Sequence, residues 1–142
     1  FDIVTMWHVL EHVHDLNDRL ERIREILKNS GTAIIAVPNS DSWDAGHYGE
    51  FWAAYDLPRH LYHFTPETLK KLAEQNGFSV YRIAPLKFDA FYISLLSEKY
   101  KWGRQNYYSA FINGIRSNVS GRKCNMNYSS FIYILKITGN AK

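Results

Sequence analysis

The sequence predicts an α/β fold built on a mostly parallel sheet. Three observations predict it: short apolar runs that do not alternate strictly, amphipathic stretches between them, and the lack of short hairpin turns. "FDIVTMW" (residues 1–7) is rich in β-formers and reads as a strand covered on both faces. In "DLNDRLERIREILKNSG" (15–31), Leu16, Leu20, Ile23 and Leu27 fall on one helical face with Asp, Glu and Arg opposite. Asp15 is placed to cap this helix and Gly31 to stop it. "TAIIAVPN" (32–39) reads as a second buried strand, closed by Pro38. Residues 40–64 are irregular, polar and aromatic, and a connection of that length in an α/β unit is usually functional. "TPETLKKLAEQNG" (65–77) is a helix with Thr65 as cap, Pro66 in its first turn, and Phe64 facing Leu69 as a staple. "FSVYRIAPL" (78–86) reads as a strand. Residues 90–117 read as largely helical, weakened by Gly103 and Gly114. A turn at 121–127 then leads to a final strand, "YSSFIYILKITG" (128–139).

Composition narrows the class. The 142 residues suit one domain, and 46% hydrophobic with 22% charged residues is ordinary globular usage. Aromatic content is high, with ten Tyr and four Trp, more than a core of this size needs, so some are expected at a pocket or an interface. A net charge of +3 is too mild to indicate a nucleic-acid partner. The cations from Lys99 onward, though unopposed by any acid, are scattered as on a solvated face. One cysteine, Cys124, excludes an internal disulfide framework and fits a reducing, cytoplasmic compartment. No apolar run approaches the ~20 residues of a membrane span.

These residues carry a family resemblance. "FDIVTMWHVLEHVHDLNDRLERIREILKNSGTAIIAVPN" resembles the second half of a class I S-adenosylmethionine-dependent methyltransferase, in the subgroup that contains the ubiquinone-biosynthesis O-methyltransferases. That family shows a strand leading into "hvLEHv", an amphipathic helix, "LkpGG", and a strand ending in "vPN". Here "LKNSG" stands in place of "LKPGG". "YDLPRHLYHFTPETLKKLAEQNGF" follows the subgroup pattern as well. The resemblance covers nearly all of residues 1–88 and extends to 89–142 only in element order. It implies a partial Rossmann-like sheet, strands four to seven of seven with the last antiparallel. It also implies S-adenosylmethionine as cofactor and a small-molecule or lipid-like acceptor, methylated on oxygen. The family's Gly-rich cofactor loop and its ribose-binding acid have no counterpart in these residues. The chain is therefore expected to be a fragment of the enzyme, inactive alone, with the strand 1–7 left as an open edge through which copies dimerise or aggregate. A non-catalytic methyltransferase-like interaction module is the competing expectation.

"HVLEH" (8–12) is where chemistry is expected, just past the end of a central strand, where open α/β sheets bind ligands. The resemblance assigns the methionine end of the cofactor to Trp7, His8 and Val9. Glu11 and His12 have three readings. They orient the loop by hydrogen bonds, they deprotonate the acceptor or bind a divalent ion beside it, or they complete an H-x-x-E-H zinc peptidase motif. The last is disfavoured because that motif belongs on a long helix, and here a strand ends immediately before it. The catalytic candidates are Glu11, His12 and His63. In the loop, Trp52, Tyr55, Arg59 and His60 are the candidate substrate contacts, with Arg59 suited to a carboxylate or phosphate. Asp56 with Arg59 reads equally well as an ion pair that pins the loop, and Trp52 with Tyr55 as packing. No residue is assigned to a metal from the sequence.

Overall fold

A computed structural model describes residues 1–123 and 127–138 of the chain. Cys124 and Gly139 lie outside the described residues, so the turn expected over 121–127 and the end of the final strand are covered only in part. The elements are β1 (Ile3–Trp7), α1 (Leu16–Ile26), β2 (Thr32–Pro38), α2 (Trp43–Tyr48), α3 (Pro66–Gln75), β3 (Phe78–Pro85), α4 (Asp89–Trp102), α5 (Tyr107–Lys123) and β4 (Ser130–Ile137). The strand order is β1-β2-β4-β3. β1 and β2 are parallel, from Ile3 opposite Thr32 to Trp7 opposite Ala36. β4 enters antiparallel between β2 and β3, with one register shift between Val80 and Arg82. β1, β2 and β3 thus run the same way and β4 runs against them, as expected of the last strand, although two of the three strand pairings are antiparallel.

Local chemistry fixes the helix ends. Asp15 accepts hydrogen bonds from the Asn17 and Asp18 amides at 3.0 Å and so caps α1. Thr65 and Thr68 form a reciprocal capping box at the start of α3, with Pro66 in its first turn. Gly31 does not stop α1, which already ends at Ile26. Gly31 instead lies where the chain doubles back, and a Cβ there would sit 2.8 Å from the Lys28 carbonyl oxygen. The helix expected across 90–117 is two helices. Gly103 takes φ +71°, open to glycine and costly for other residues, and ends α4 before α5 begins.

Two apolar clusters hold the molecule together. On one sheet face Leu20 and Ile23 of α1 and Leu69 and Ala73 of α3 close over Ala33, Ile35 and Val37 of β2. Each fully buried Leu or Ile contributes about 1.5–3 kcal/mol relative to an exposed one. β1 was expected to be covered on both faces, but Ile3 and Trp7 are 58% and 50% exposed and only Met6 of the strand is fully buried. β1 is an edge strand with one neighbour among the described residues, so its outer positions meet no packing partner there.

The second cluster lies in the segment expected to be irregular. Residues 43–55 fold into the short α2 and two 3₁₀ turns, Gly49–Phe51 and Ala53–Tyr55. Tyr48, Trp52, Ala53 and Ala54 pack there against Ile93 of α4. Its polar anchor is Asp44, fully buried, which accepts from Trp52 Nε1 at 2.9 Å, Ser117 Oγ at 2.8 Å and Ser129 Oγ at 2.7 Å. A second node is Glu98 Oε1, which accepts from Ser109 Oγ at 2.6 Å and from Tyr48 and Asn113 at 3.2 Å each. Asp44→Ala strands three buried donors at once, each costing about 1–3 kcal/mol when left unpaired. The variant is expected to lose roughly 3 kcal/mol or more of stability by urea denaturation, with Asp44→Asn losing less.

Candidate functional site

The site starts at the carboxyl end of β1. His8 donates its backbone N–H to the Ala36 carbonyl at 3.0 Å and takes φ 51°, a left-handed conformation uncommon for a residue with a Cβ. That turn points the chain out of the sheet and into a single 3₁₀ turn, Leu10–His12, which buries Leu10 and Glu11. Val13 is already extended, so no long helix carries the three H-x-x-E-H side chains and the zinc peptidase geometry is not formed.

His8 sits between two carboxylates. Its Nδ1 is 3.3 Å from Glu11 Oε1 and its Nε2 is 2.8 Å from Asp89 Oδ2 at the start of α4. The bond to Asp89, then that to Glu11, pushes the imidazole up to about 9 against the opposing effect of burial. His8 is therefore a cation at neutral pH. Asp89 is absent from the sequence reading. Its only signal is its place, an acid opening a helix a few residues beyond the carboxyl end of a strand.

The segment after the 3₁₀ turns is laced to this turn by backbone groups. Leu61 N–H donates to the Glu11 carbonyl at 2.8 Å, and the Tyr62 hydroxyl donates to the His14 carbonyl at 3.0 Å. His12 Nδ1 lies 3.0 Å from the Arg59 carbonyl oxygen, and His60 Nδ1 lies 2.8 Å from that of Ala54. A carbonyl only accepts, so both Nδ1 atoms carry hydrogen and both Nε2 atoms carry the lone pair when neutral. His60 Nε2 is 4.0 Å from Glu11 Oε1, and burial holds this imidazole below its ordinary value, partly offset by the Ala54 carbonyl. The His12 and His60 rings meet edge to face at 4.6 Å between centroids. Glu11 Oε2 is buried without a hydrogen-bond partner.

A cavity of about 360 Å³ opens here, lined by His8, Glu11, Asp56, Arg59, His60 and Asp89 on its polar side and by Tyr92, Ile93, Leu96 and Tyr100 of α4 on its apolar side. Of the candidates named from the sequence, His8, Glu11, Arg59 and His60 line it. Arg59 is also paired with Asp56, its Nε donating to Oδ1 at 3.1 Å. His12 stands behind His60. His63 lies 6.5 Å from the His60 ring and bonds the Tyr55 carbonyl through Nε2. Trp52 is buried at the cavity's back with Tyr55 edge-on against it. Trp7 and Val9 are exposed at the end of β1, outside the cavity lining.

An open α/β sheet with its crevice at the carboxyl ends of parallel strands is the architecture of nucleotide- and cofactor-binding proteins. The sequence profile of a methyltransferase-domain family matches residues 1–83, and the chain belongs to that family. A comparison with curated proteins found no match. Among solved structures, the chain is similar to the mitomycin 7-O-methyltransferase MmcR (TM-score 0.58, 14% identity, covering 96% of this chain and 30% of that one). It is similar to a SAM-dependent methyltransferase from Archaeoglobus fulgidus (TM-score 0.53, 21% identity, 95% and 58% covered). It is also similar to the [4+2]-cyclase SpnF (TM-score 0.58, 16% identity, 98% and 50% covered). The chain thus spans about a third to a little over half of the length of these proteins.

The His8 contacts have a pH signature. Its folded value lies above the unfolded 6.5, so the stability it contributes is present in full below about 6.5 and is lost as pH rises through about 9. Asp89→Asn is expected to lower the His8 midpoint in an NMR titration and to flatten the loss of stability between those two pH values.

Proposed function

We propose that this chain is part of an S-adenosylmethionine-dependent methyltransferase that methylates a small or lipid-like acceptor on oxygen. The family match over residues 1–83 carries the reading, because it spans the turn and the loop that bring His8, Glu11, Arg59 and His60 to the crevice. The order of "HVLEHV", "LKNSG" and "VPN" favours the ubiquinone-biosynthesis O-methyltransferase subgroup within that family.

The residues fit such a cofactor. Trp7 and Val9 offer exposed apolar surface at the carboxyl end of β1, on either side of the left-handed His8. The unpartnered Glu11 carboxylate oxygen gives the crevice a negative group beside which a cationic sulfonium is favoured. Trp7, His8 and Val9 would hold the methionine end. When bound, S-adenosylmethionine supplies a methyl already activated on sulfur, so positioning provides much of the rate.

The protein's own tasks are to bind the acceptor and to handle its proton. The apolar wall of Tyr92, Ile93, Leu96 and Tyr100 takes the acceptor's body, and Arg59 at the rim takes an anionic group on it. Trp52 and Tyr55 brace the wall from behind. His60 presents a neutral Nε2 to the cavity because the Ala54 carbonyl fixes its tautomer and burial keeps it uncharged. Glu11, with His12 and His63 flanking His60, completes the proton-handling set.

Incubating the complete enzyme that contains this chain with S-adenosylmethionine labelled in the methyl group and a panel of hydroxyl-, amine- and carboxyl-bearing small molecules tests the reading, since the chain alone is expected to be inactive. Labelled product from a hydroxyl acceptor is expected. Labelled product from amines alone would overturn the choice of oxygen. No transfer to any acceptor would favour the interaction-module reading. Arg59→Ala and His63→Ala are each expected to lower turnover about tenfold or more while shifting the melting temperature little; equal losses of folding and turnover would make both residues structural.

Association follows from the β1 edge. Its outer N–H and C=O groups have no partner strand among the described residues, Asp2 is the only charge in residues 1–7, and no Lys or Pro guards it. We expect the chain on its own to dimerise through residues 1–7. Light scattering at tens of micromolar, with Ile3→Lys as the variant that restores the monomer, checks this.

A further inference from the structure

We propose that the outer face of α5 is a docking surface for an acidic amphipathic helix of another protein. α5 is turned inside out for a helix that lies on a core. Its buried side carries small or polar residues, Ala110, Asn113, Gly114, Ser117 and Gly121. Its outer side carries large apolar ones, and Tyr108, Phe111, Ile115 and Val119 are all exposed. An amphipathic helix ordinarily buries its apolar stripe and turns its polar face to water. Here the close approach of α4 decides the inner face, because a Cβ on Gly114 would lie 2.5 Å from the Phe91 ring. Packing against α4 accounts for the small residues and leaves the apolar stripe uncovered by any described residue.

The stripe has the geometry of a helix-binding surface. Its steps of three, four and four residues average about 3.67, close to the 3.6 of a straight α-helix, so the four side chains line up along the helix axis. From Tyr108 to Val119 they cover about 16 Å, the footprint of one helix laid alongside for roughly three turns. The stripe is lowest in its middle, where Ile115 is 39% exposed, and higher at Tyr108, 79% exposed. Phe88 stands out further, at 84%, next to the Lys87 carbonyl that accepts from Asn118 Nδ2 at 3.0 Å. A low centre between raised ends receives the side chains of a facing helix. A bilayer is entered best by apolar side chains that stand out along the middle of a helix face, and this face has the opposite relief.

Charge selects the partner. Cations that read as scattered in the sequence gather here: Arg116 and Lys123 border the stripe and Arg122 prolongs it past Val119, all three exposed. No Asp or Glu occurs between Lys99 and Lys123. An apolar stripe with a cationic margin is complementary to an apolar stripe with an acidic margin. A second copy of this chain does not supply one. Pairing α5 with α5 would set these cations against each other with no acid between them. The acid-bearing helices α1 and α3 already bury their own stripes in the main cluster, Leu20 with Ile23 and Leu69 with Ala73. The occupant is therefore a helix of a different protein, with aliphatic residues at i, i+4 and i+7 and Asp or Glu beside them.

Two labelled helical peptides of about 18 residues test the surface on the complete enzyme that contains this chain. Both carry the same leucine stripe, bordered by glutamate in one and by lysine in the other. Fluorescence anisotropy is expected to show the glutamate peptide binding at about 10–100 µM, roughly tenfold or more tighter than the lysine peptide, and more weakly in about 0.5 M salt. Ile115→Ser is expected to weaken that binding about tenfold with an unchanged melting temperature. The double charge reversal Arg116→Glu with Arg122→Glu touches only exposed side chains; it is expected to do the same and to improve binding of the lysine peptide. Equal binding of the two peptides, binding that neither variant alters, or no binding at about 1 mM peptide would overturn the proposal. Binding to phosphatidylcholine–phosphatidylglycerol vesicles that Ile115→Ser abolishes, with the peptides left unbound, would make the face a membrane contact instead. A smaller particle by light scattering in Ile115→Ser than in the unaltered enzyme would make it a contact between copies.

Discussion

Asp44 is an anion enclosed by neutral donors, and the shape of the cavity depends on it. Taking a carboxylate out of water costs several kcal/mol, an expense that only well-made hydrogen bonds offset. The three donors come from separate parts of the chain: the indole of Trp52, Ser117 on α5, and Ser129 just before β4. The bond to Trp52 fixes the 3₁₀ turn that follows, and the Ala53 amide then donates to Ser97 Oγ on α4 at 2.9 Å. One residue further, the Ala54 carbonyl orients His60. A single buried charge thus sets, through two turns of backbone, the direction of an imidazole in the cavity.

The strand turn approaches the same cavity from the opposite side. His8 is held in a left-handed conformation and clasped between carboxylates from two elements, Glu11 beyond β1 and Asp89 on α4. Strain at one residue is sustained where the surroundings over-determine it, and here two ion-pair contacts and a main-chain bond to β2 do so. The result is a crevice whose polar side comes from the turn after β1, the loop around Arg59 and the first residue of α4, and whose apolar wall comes from the rest of α4. The division suits chemistry at one end of a ligand and recognition along the rest of it.

Much of the scaffold was legible because local rules decided it. Asp15 and Thr65 announce their helices by capping chemistry, and the unalternating runs at 3–7 and 32–38 announce strands of a parallel sheet. Gly103 carried a breaking signal, but periodicity does not show whether a glycine bends a helix or ends it. α2 escaped because six residues make too little of a stripe to register a period. Asp44, in that same stretch, reads as a loop acid, and nothing short of the fold brings Trp52, Ser117 and Ser129 around it. At the site, Glu11 and His12 stood out by spacing and His60 by its company of aromatics. Their convergence was invisible, since it depends on Leu61 pairing with the Glu11 carbonyl across the loop. Asp89 was missed for the same reason, being remote in sequence and adjacent only in space.

The position of β4 has a consequence for how the molecule is made. The last strand among the described residues is the one between β2 and β3, where Thr32 pairs with Lys136 and Phe78 with Ile137. Translation delivers β1, β2 and β3 in order, yet β3 touches no other strand until β4 slides in beside it. During that interval β2 and β3 both present open edges, and the apolar faces of α1 and α3 have only part of their floor. Long-range pairing of this kind is slow to nucleate, because loop closure must be completed before any contact rewards it. Emergence of Ser130–Ile137 from the ribosome is then the step that turns two separate strand systems into one sheet. Codon pace through the α4–α5 region sets how long the nascent chain waits, and that waiting time is its window for mispairing with neighbours.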